Sequence, residues 1–377
     1  MGRWGRAVVV GWALAVAGVS AAGDTTFDLS GRVSPQIVVT TYPESSAFRD
    51  IFGSSSVDSA FDARVIFGVR HDRWSFDVDY QLVGLYADRL EFTREIPDEL
   101  KILFPHLPDD NTRLFDLTHV FCDEGKSALF QRLDRLAVTY TADQYVFKFG
   151  RQAITWGNGM VFTVMDIFNP FDPAAVDREF KTGDDMLYGQ YLQSNGNDLQ
   201  GVMVFRRDPF TSEVEADQSS LAFKYHHMGA ISEFDGLLAQ HYGDTLVGGG
   251  ANVSLGGSVL RGDAMVTFTD DDTVFSLVTS LSHSWTWGGT NVSGVVEYFY
   301  NGFGQSDGCY SFECLADNPD LLERNTRGEL FNRGPSEGQH LGHFLRGQIQ
   351  LRPEGFEPLI GAIHDSANWV RKRTSFS

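Results

Sequence analysis

The chain has 377 residues and a formal net charge of −20, from 30 Lys and Arg against 50 Asp and Glu. That acidic balance argues against nucleic acid as a partner, because phosphate binding needs a basic surface. Aromatic residues make up 13% of the chain and Gly accounts for 39 positions, a composition that suits many short alternating strands.

The first element is a leader. Met1-Gly2-Arg3-Trp4-Gly5-Arg6 is basic, residues 7–19 carry no charge, and small residues follow at Ser20-Ala21-Ala22-Gly23. A basic region, an apolar run and a small-residue site together read as a secretory signal peptide over residues 1–22. The apolar run is short for a membrane span of roughly 20 residues. No long uncharged apolar run follows, so residues 23–377 are expected to cross no membrane as a helix.

Candidate strands then follow in order: 27–41, 61–70, 74–86, 135–141, 145–155, 186–193, 198–206, 219–227, 232–242, 245–254, 258–269, 273–285, 291–301, 340–351 and 356–364. The third shows the pattern most clearly. Trp74, Phe76, Val78, Tyr80, Leu82 and Tyr86 share one face, and Ser75, Asp77, Asp79 and Gln81 share the other. Side chains alternate across a strand, so such a segment suits a wall with lipid on one side and water on the other. The pattern recurs where Leu260, Val266 and Phe268 oppose Arg261 and Asp263, and where Phe275, Leu277 and Leu281 oppose Ser276, Ser280 and Ser282. Aromatics near strand ends, among them Trp74, Tyr86, Trp156, Trp285 and Trp287, are expected at the membrane interface.

The connections alternate in length. Tight turns at 71–73, 142–144, 194–197, 228–231, 256–257 and 286–290 alternate with long stretches at 42–60, 87–134, 156–185, 207–218 and 302–339, and with two short connections at 243–244 and 270–272. Short turns on one side and long loops on the other mark an outer-membrane barrel. The expected fold is therefore all-β: one transmembrane antiparallel β-barrel of about 16 strands, within roughly 14–18, spanning the chain after the leader. The strand count stops at fifteen, and bacterial barrels need an even number. The basic ending Arg371-Lys372-Arg373 makes a poor lipid-facing strand, so a C-terminally truncated or shifted sequence is expected over an irregular sixteenth strand.

The segment from the end of the fifth strand onward carries the densest chemistry. It runs Phe149-Gly150-Arg151-Gln152, Trp156-Gly157-Asn158-Gly159, Asp166-Ile167-Phe168-Asn169-Pro170 and Arg178-Glu179-Phe180-Lys181-Thr182-Gly183-Asp184-Asp185. Its glycines permit sharp bends and close backbone approach, and its prolines end any strand. Two expectations stand side by side: the loop folds into the lumen and narrows it, or it is a solvated outer loop closed by its own ion pairs. Candidate pore-lining or constriction residues are Arg151, Gln152, Asp166, Asp177, Arg178, Glu179, Lys181 and Asp184, with Asp77, Asp79, Arg261 and Arg346 on the wall. Asp62, Arg64, Lys148, Lys224, Asp263 and Glu297 share the same polar faces. The presence of both signs leaves ion selectivity open.

This segment resembles one shared by porin-like outer-membrane barrels of Gram-negative bacteria, and alginate-export-type barrels carry a looser version. The resemblance is specific over residues 149–185 and architectural elsewhere. It implies a barrel that passes or binds a small solute, with no shared substrate.

Other constellations read as structure. Ser194-Asn195-Gly196 is similar to the serine region of outer-membrane phospholipases, but Asn-Gly is a common hairpin turn and Leu192 and Gln193, not a histidine, immediately precede the serine. His226 and His227 are strand neighbours facing opposite sides, with His226 expected inward beside Lys224. Cys309 and Cys314 lie in one polar stretch and are expected to form a disulfide, with Cys122 left over or paired with one of them between loops. No enzyme, metal or cofactor is expected. The expected function is an outer-membrane channel for passive or facilitated passage of a small hydrophilic solute, with outer-membrane lipid and that solute as partners. The alternative is a barrel plugged by its loops and used for binding or structure, as a receptor, adhesin or export partner.

Overall fold

The computed structural model describes residues 7–11, 14–22, 24–42, 49, 52–95, 107–168, 180–208, 211–270, 272–303 and 343–353. The fold is all-β, and its strands belong to one antiparallel sheet. Chain contacts divide it into two units, the first comprising Met1–Ala153, Val176–Gly189 and Val204–Glu215. The second comprises Ile154–Ala175, Gln190–Met203 and Ala216–Ser377.

The first unit contains β1 (Ala7–Gly11), β2 (Leu14–Ala22), β3 (Thr25–Thr41), β4 (Ser55–His71), β5 (Trp74–Ala87), a helix α1 (Asp88–Glu95), β6 (Thr118–Glu124), β7 (Ser127–Thr141) and β8 (Tyr145–Gln152). The segments read as a leader pair with β3 in a single register, Ala7 opposite Thr40 and Ala22 opposite Thr25. Their uncharged, valine-containing sequence suits a strand. Pro35 has no N–H to donate, and it falls between the residues of β3 that pair with β1 and those that pair with β2.

Several strands run longer than their patterns predict. Residues 55–60, Ser-Ser-Val-Asp-Ser-Ala, show no apolar alternation. They are nonetheless strand, because β3 and β5 hold them on both edges, with Ser56 opposite Thr40 and Ser59 opposite Tyr86. The long stretch expected between residues 87 and 134 contains α1, β6 and the first half of β7. Rings of Tyr42 and Phe52 stack at 5.7 Å and those of Phe52 and Phe92 meet edge-on at 5.4 Å, while Leu90, Ala87 and Ala128 form a small buried cluster. These connections are thus folded structure with a core of their own.

β9 (Asp184–Leu192) and β10 (Asp198–Val204) carry residues of both units. The second unit then runs as successive hairpins: β11 (Ser220–Met228), β12 (Ser232–His241), β13 (Asp244–Leu255), β14 (Ser258–Phe268), β15 (Thr273–Trp287), β16 (Thr290–Asn301) and β17 (His343–Pro353). Gly288 and Gly289, at φ 58° and 81°, give the β15–β16 turn the left-handed pair that a two-residue hairpin needs. The expected strand at 356–364 and the basic ending lie outside the described residues.

The two faces of each unit are inverted relative to a protein folded around an apolar core. Phe61, Val65, Phe76 and Phe147 in the first unit, and Phe223, Leu238, Phe275 and Val296 in the second, stand exposed. Arg64, Gln81, Asp134 and Arg151, and likewise Lys224, Asp263, Ser280 and Glu297, are buried. Among the described residues no helix is long and apolar enough to cross a membrane, a test that does not bear on strands.

Candidate functional site

In the first unit the polar face is built around one register row. Arg32 pairs with Arg64, Arg64 with Gln81, and Gln81 with Arg132 across β3, β4, β5 and β7. A bulge in β7 opposite Asp79 and Tyr80 leaves Asp134 unpaired in the ladder and turns both Asp134 and Arg135 onto this face. Asp134 becomes the hub. Arg64 donates to it at 2.8 Å, Arg135 lies at 3.2 Å and Arg132 at 3.8 Å, and the backbone N–H of Gly183 donates at 3.2 Å. Arg132 also donates to Gln81 at 2.5 Å, and the Gln81 amide donates to Asp62 at 2.5 Å. Such a network holds buried charge only because each group finds an opposite charge or a donor.

Residues 180–183 lie across these arginines. Arg135 donates to the carbonyl of Lys181 at 2.7 Å, and the Phe180 ring sits 4.1 Å from the Arg64 guanidinium and 5.4 Å from that of Arg32. Toward the next turn, Asp77 and Lys148 approach at 3.9 Å and both stay partly open to solvent.

The end of β8 is a second knot. Arg151 forks onto Asp185 with two bonds of 2.9 Å, reaches Asp110 at 3.0 Å and donates to the carbonyl of Phe115 at 2.6 Å. Arg206 forks onto Asp184 at 3.1 and 2.6 Å, and Gln152 donates to the carbonyl of Met186 at 3.1 Å. Burial pushes the Asp110 carboxyl up, but the hydrogen bond and charge of Arg113 and the charge of Arg151 outweigh it, so the group sits below the usual carboxylate range. Arg151, Gln152, Lys181 and Asp184 are all buried, so they face protein groups.

In the second unit the segment at 154–168 lies on the polar side of the strands. Gly157 takes φ 97° and opens a turn that presents consecutive backbone N–H groups to the wall. Asp263 on β14 accepts from the backbone N–H of Asn158 at 2.6 Å and of Gly159 at 3.2 Å, and from the Asn158 amide at 2.8 Å. Glu297 on β16 accepts from the N–H of Met160 at 2.7 Å, Val161 at 3.0 Å and Phe162 at 2.9 Å. Asp235 takes Lys224 at 3.1 Å, His226 at 2.9 Å and the Asn158 amide at 3.2 Å. A side chain at Gly250 would meet that amide at 2.6 Å, so glycine there makes room for the segment.

Apolar contacts complete the attachment. Phe162 stacks on Phe299 with centroids 4.5 Å apart, and Phe168 meets both Trp156 and His241 edge-on. Val202, Ala239, Leu246, Met265 and Val278 are buried in the same unit. Trp156, expected at a membrane interface, is instead 2% exposed, and its indole N–H donates to Gln200 at 2.8 Å. A tryptophan can be buried in this way once its one donor has found an acceptor.

The structure therefore splits the candidate residues. Arg151, Lys181 and Asp184 lie in the first unit, where Arg151 and Asp184 bind Asp185, Asp110 and Arg206; of the charged groups there, Asp110, Arg206 and Asp134 were not singled out by the sequence. Asp166 is buried in the second unit, and Arg261 is partly exposed, donating to Ser282 at 3.0 Å. Asp79 lies near Arg64 at 3.9 Å. Arg346 stands opposite Glu297 in the β16–β17 register. Asp177, Arg178, Glu179, Cys309 and Cys314 lie outside the described residues. His226 does share the polar face with Lys224, and residues 194–196 form a turn closed by Gln193 and Asn197 at 2.8 Å. Cys122 is exposed and free. Among the described residues no group of three or more His, Cys, Asp or Glu is placed to hold a metal ion. No protein-family profile matches the chain, and no curated protein does.

Proposed function

We propose that this chain is an outer-membrane β-barrel that passes a small hydrophilic solute, exported by the leader at residues 1–22. The observation that carries the reading is the inversion of the two faces. Phe61 is 45% exposed, Leu238 55% and Val296 54%, whereas Asp134, Asp263 and Glu297 are each 1% exposed. In water, each such apolar side chain forgoes stabilisation of about 25 cal/mol per Å² left uncovered. In hydrocarbon the same face carries no penalty, and a charged face on the other side suits a hydrated lumen.

In this reading the sheet closes, and the segments at 154–168 and 180–183 narrow the lumen from the wall. Asp77, Lys148 and Arg261, which keep part of their surface open, meet the solute. Arg151, Gln152, Asp166, Lys181 and Asp184 hold the inner segments in place. No cofactor enters the scheme. Liposomes containing the purified protein test it: they should swell in small sugars and lose that response as sugar size rises. Swelling no faster than protein-free liposomes would remove the channel.

The folded structure around Phe52 and Phe92 and the partly buried segment at 154–168 favour one second reading, a plugged barrel used for binding. It predicts membrane insertion without solute passage.

A further inference from the structure

Resting on the channel reading above, we propose that Met160 is a solute-contacting, specificity-determining residue of the lumen, and that Asp263 and Glu297 are the positioning residues that hold it there. Five successive N–H groups, from Asn158 to Phe162, are taken by two carboxylates on the alternate strands β14 and β16. A carboxylate that accepts several N–H bonds makes charge-assisted contacts, stronger than neutral ones. Backbone donors cannot swing away as a side chain can, so residues 158–162 are pinned at the level of the chain. Gly159 adds to this, because a Cβ there would run into the carbonyl of Phe162.

Pinning decides what points away from the wall. Val164, Met165, Asp166 and Phe168 are buried, but Met160 is 48% exposed. It stands on the polar face beside Arg261, whose guanidinium lies 3.8 Å from its sulfur. Val278 and Phe299, the apolar residues of this face beside it, are buried, whereas Met160 stays half open to solvent. Next to a cation, it offers a passing solute an adaptable apolar surface. Asp263 and Glu297 are each 1% exposed and meet no solute themselves. They act through the position they give Met160.

The test is current through the full chain carrying Met160→Cys, exposed to a negatively charged, membrane-impermeant methanethiosulfonate, with the unsubstituted protein, which retains Cys122, as control. The expected result is labelling at position 160 with conductance lowered at least about twofold, since side chains at the lumen set passage, and no change in the control. Adding Glu297→Gln, alone or with Asp263→Asn, should sharply reduce that block while labelling persists. The single variant keeps the test available where the double one does not fold. Labelling without a change in current overturns the proposal, as does failure of the thiol to react in the folded channel. A block unaltered by Glu297→Gln overturns the positioning role. An unsubstituted protein that inserts but carries no current overturns the channel reading itself, and this proposal with it.

Discussion

Asp134 shows what a single residue does on this face. Three arginines and a backbone N–H converge on it because a bulge turns it inward beside Arg135. Asp134→Ala leaves Arg64, Arg132 and Arg135 close together without their hub, and a broken buried pair costs about 3–5 kcal/mol. The expected outcome is a lower midpoint in denaturant unfolding and a loosened attachment of residues 180–183. Asp110 makes a prediction in pH. Its carboxyl lies below the ordinary value when folded, so its contribution is present above about pH 4, the unfolded value. It is lost as pH falls through the lower folded value. Unfolding followed at neutral pH and near pH 3 should show wild-type protein losing more stability than Asp110→Asn, and equal losses would refute the assignment. Neither residue was legible in the sequence. The bulge breaks the alternation around Arg132-Leu-Asp-Arg135, so the stretch reads as loop. Asp110 is one acid in an acidic connection with no period to place it.

At the scale of elements, alternation was readable where one strand face meets solvent and the other does not. β5, much of β14 and the first ten residues of β15 follow their sequence pattern, whereas residues 283–287 are exposed on both faces. It failed for residues 55–60 and for β6, where pairing with a neighbouring strand, not local composition, sets the strand. It also misplaced Trp156, because a ring near a strand end looks the same whether it faces lipid or folds inward against Gln200. The glycine pattern Gly157-Asn158-Gly159 did mark a close backbone approach, but the acceptors, Asp263 and Glu297, lie more than a hundred residues away. Gly250 is the matching feature on the wall. Gly250→Ala would drive a methyl group into Asn158 and into its anchor Asp263, so it should displace the segment. A shifted solute-size cutoff in liposome swelling would show this, and an unchanged cutoff would mean that the segment does not define the passage.

For the whole molecule, the account depends on one asymmetry: charge is inside and apolar surface outside in both units. Net charge and composition gave no hint of which face was which, but the period-two pattern did. The pairing of Ala7–Gly11 and Leu14–Ala22 with β3 is compatible with the leader reading only if β3 finds another partner after cleavage. N-terminal sequencing of protein from the membrane fraction should begin at Ala22 or Gly23, and an intact Met1 would assign these strands to the finished fold. The most direct test of the central claim is single-channel recording of the purified protein in a planar bilayer. The account predicts steady current steps that grow with salt concentration. Silence from protein that is inserted and folded would contradict a water-filled passage.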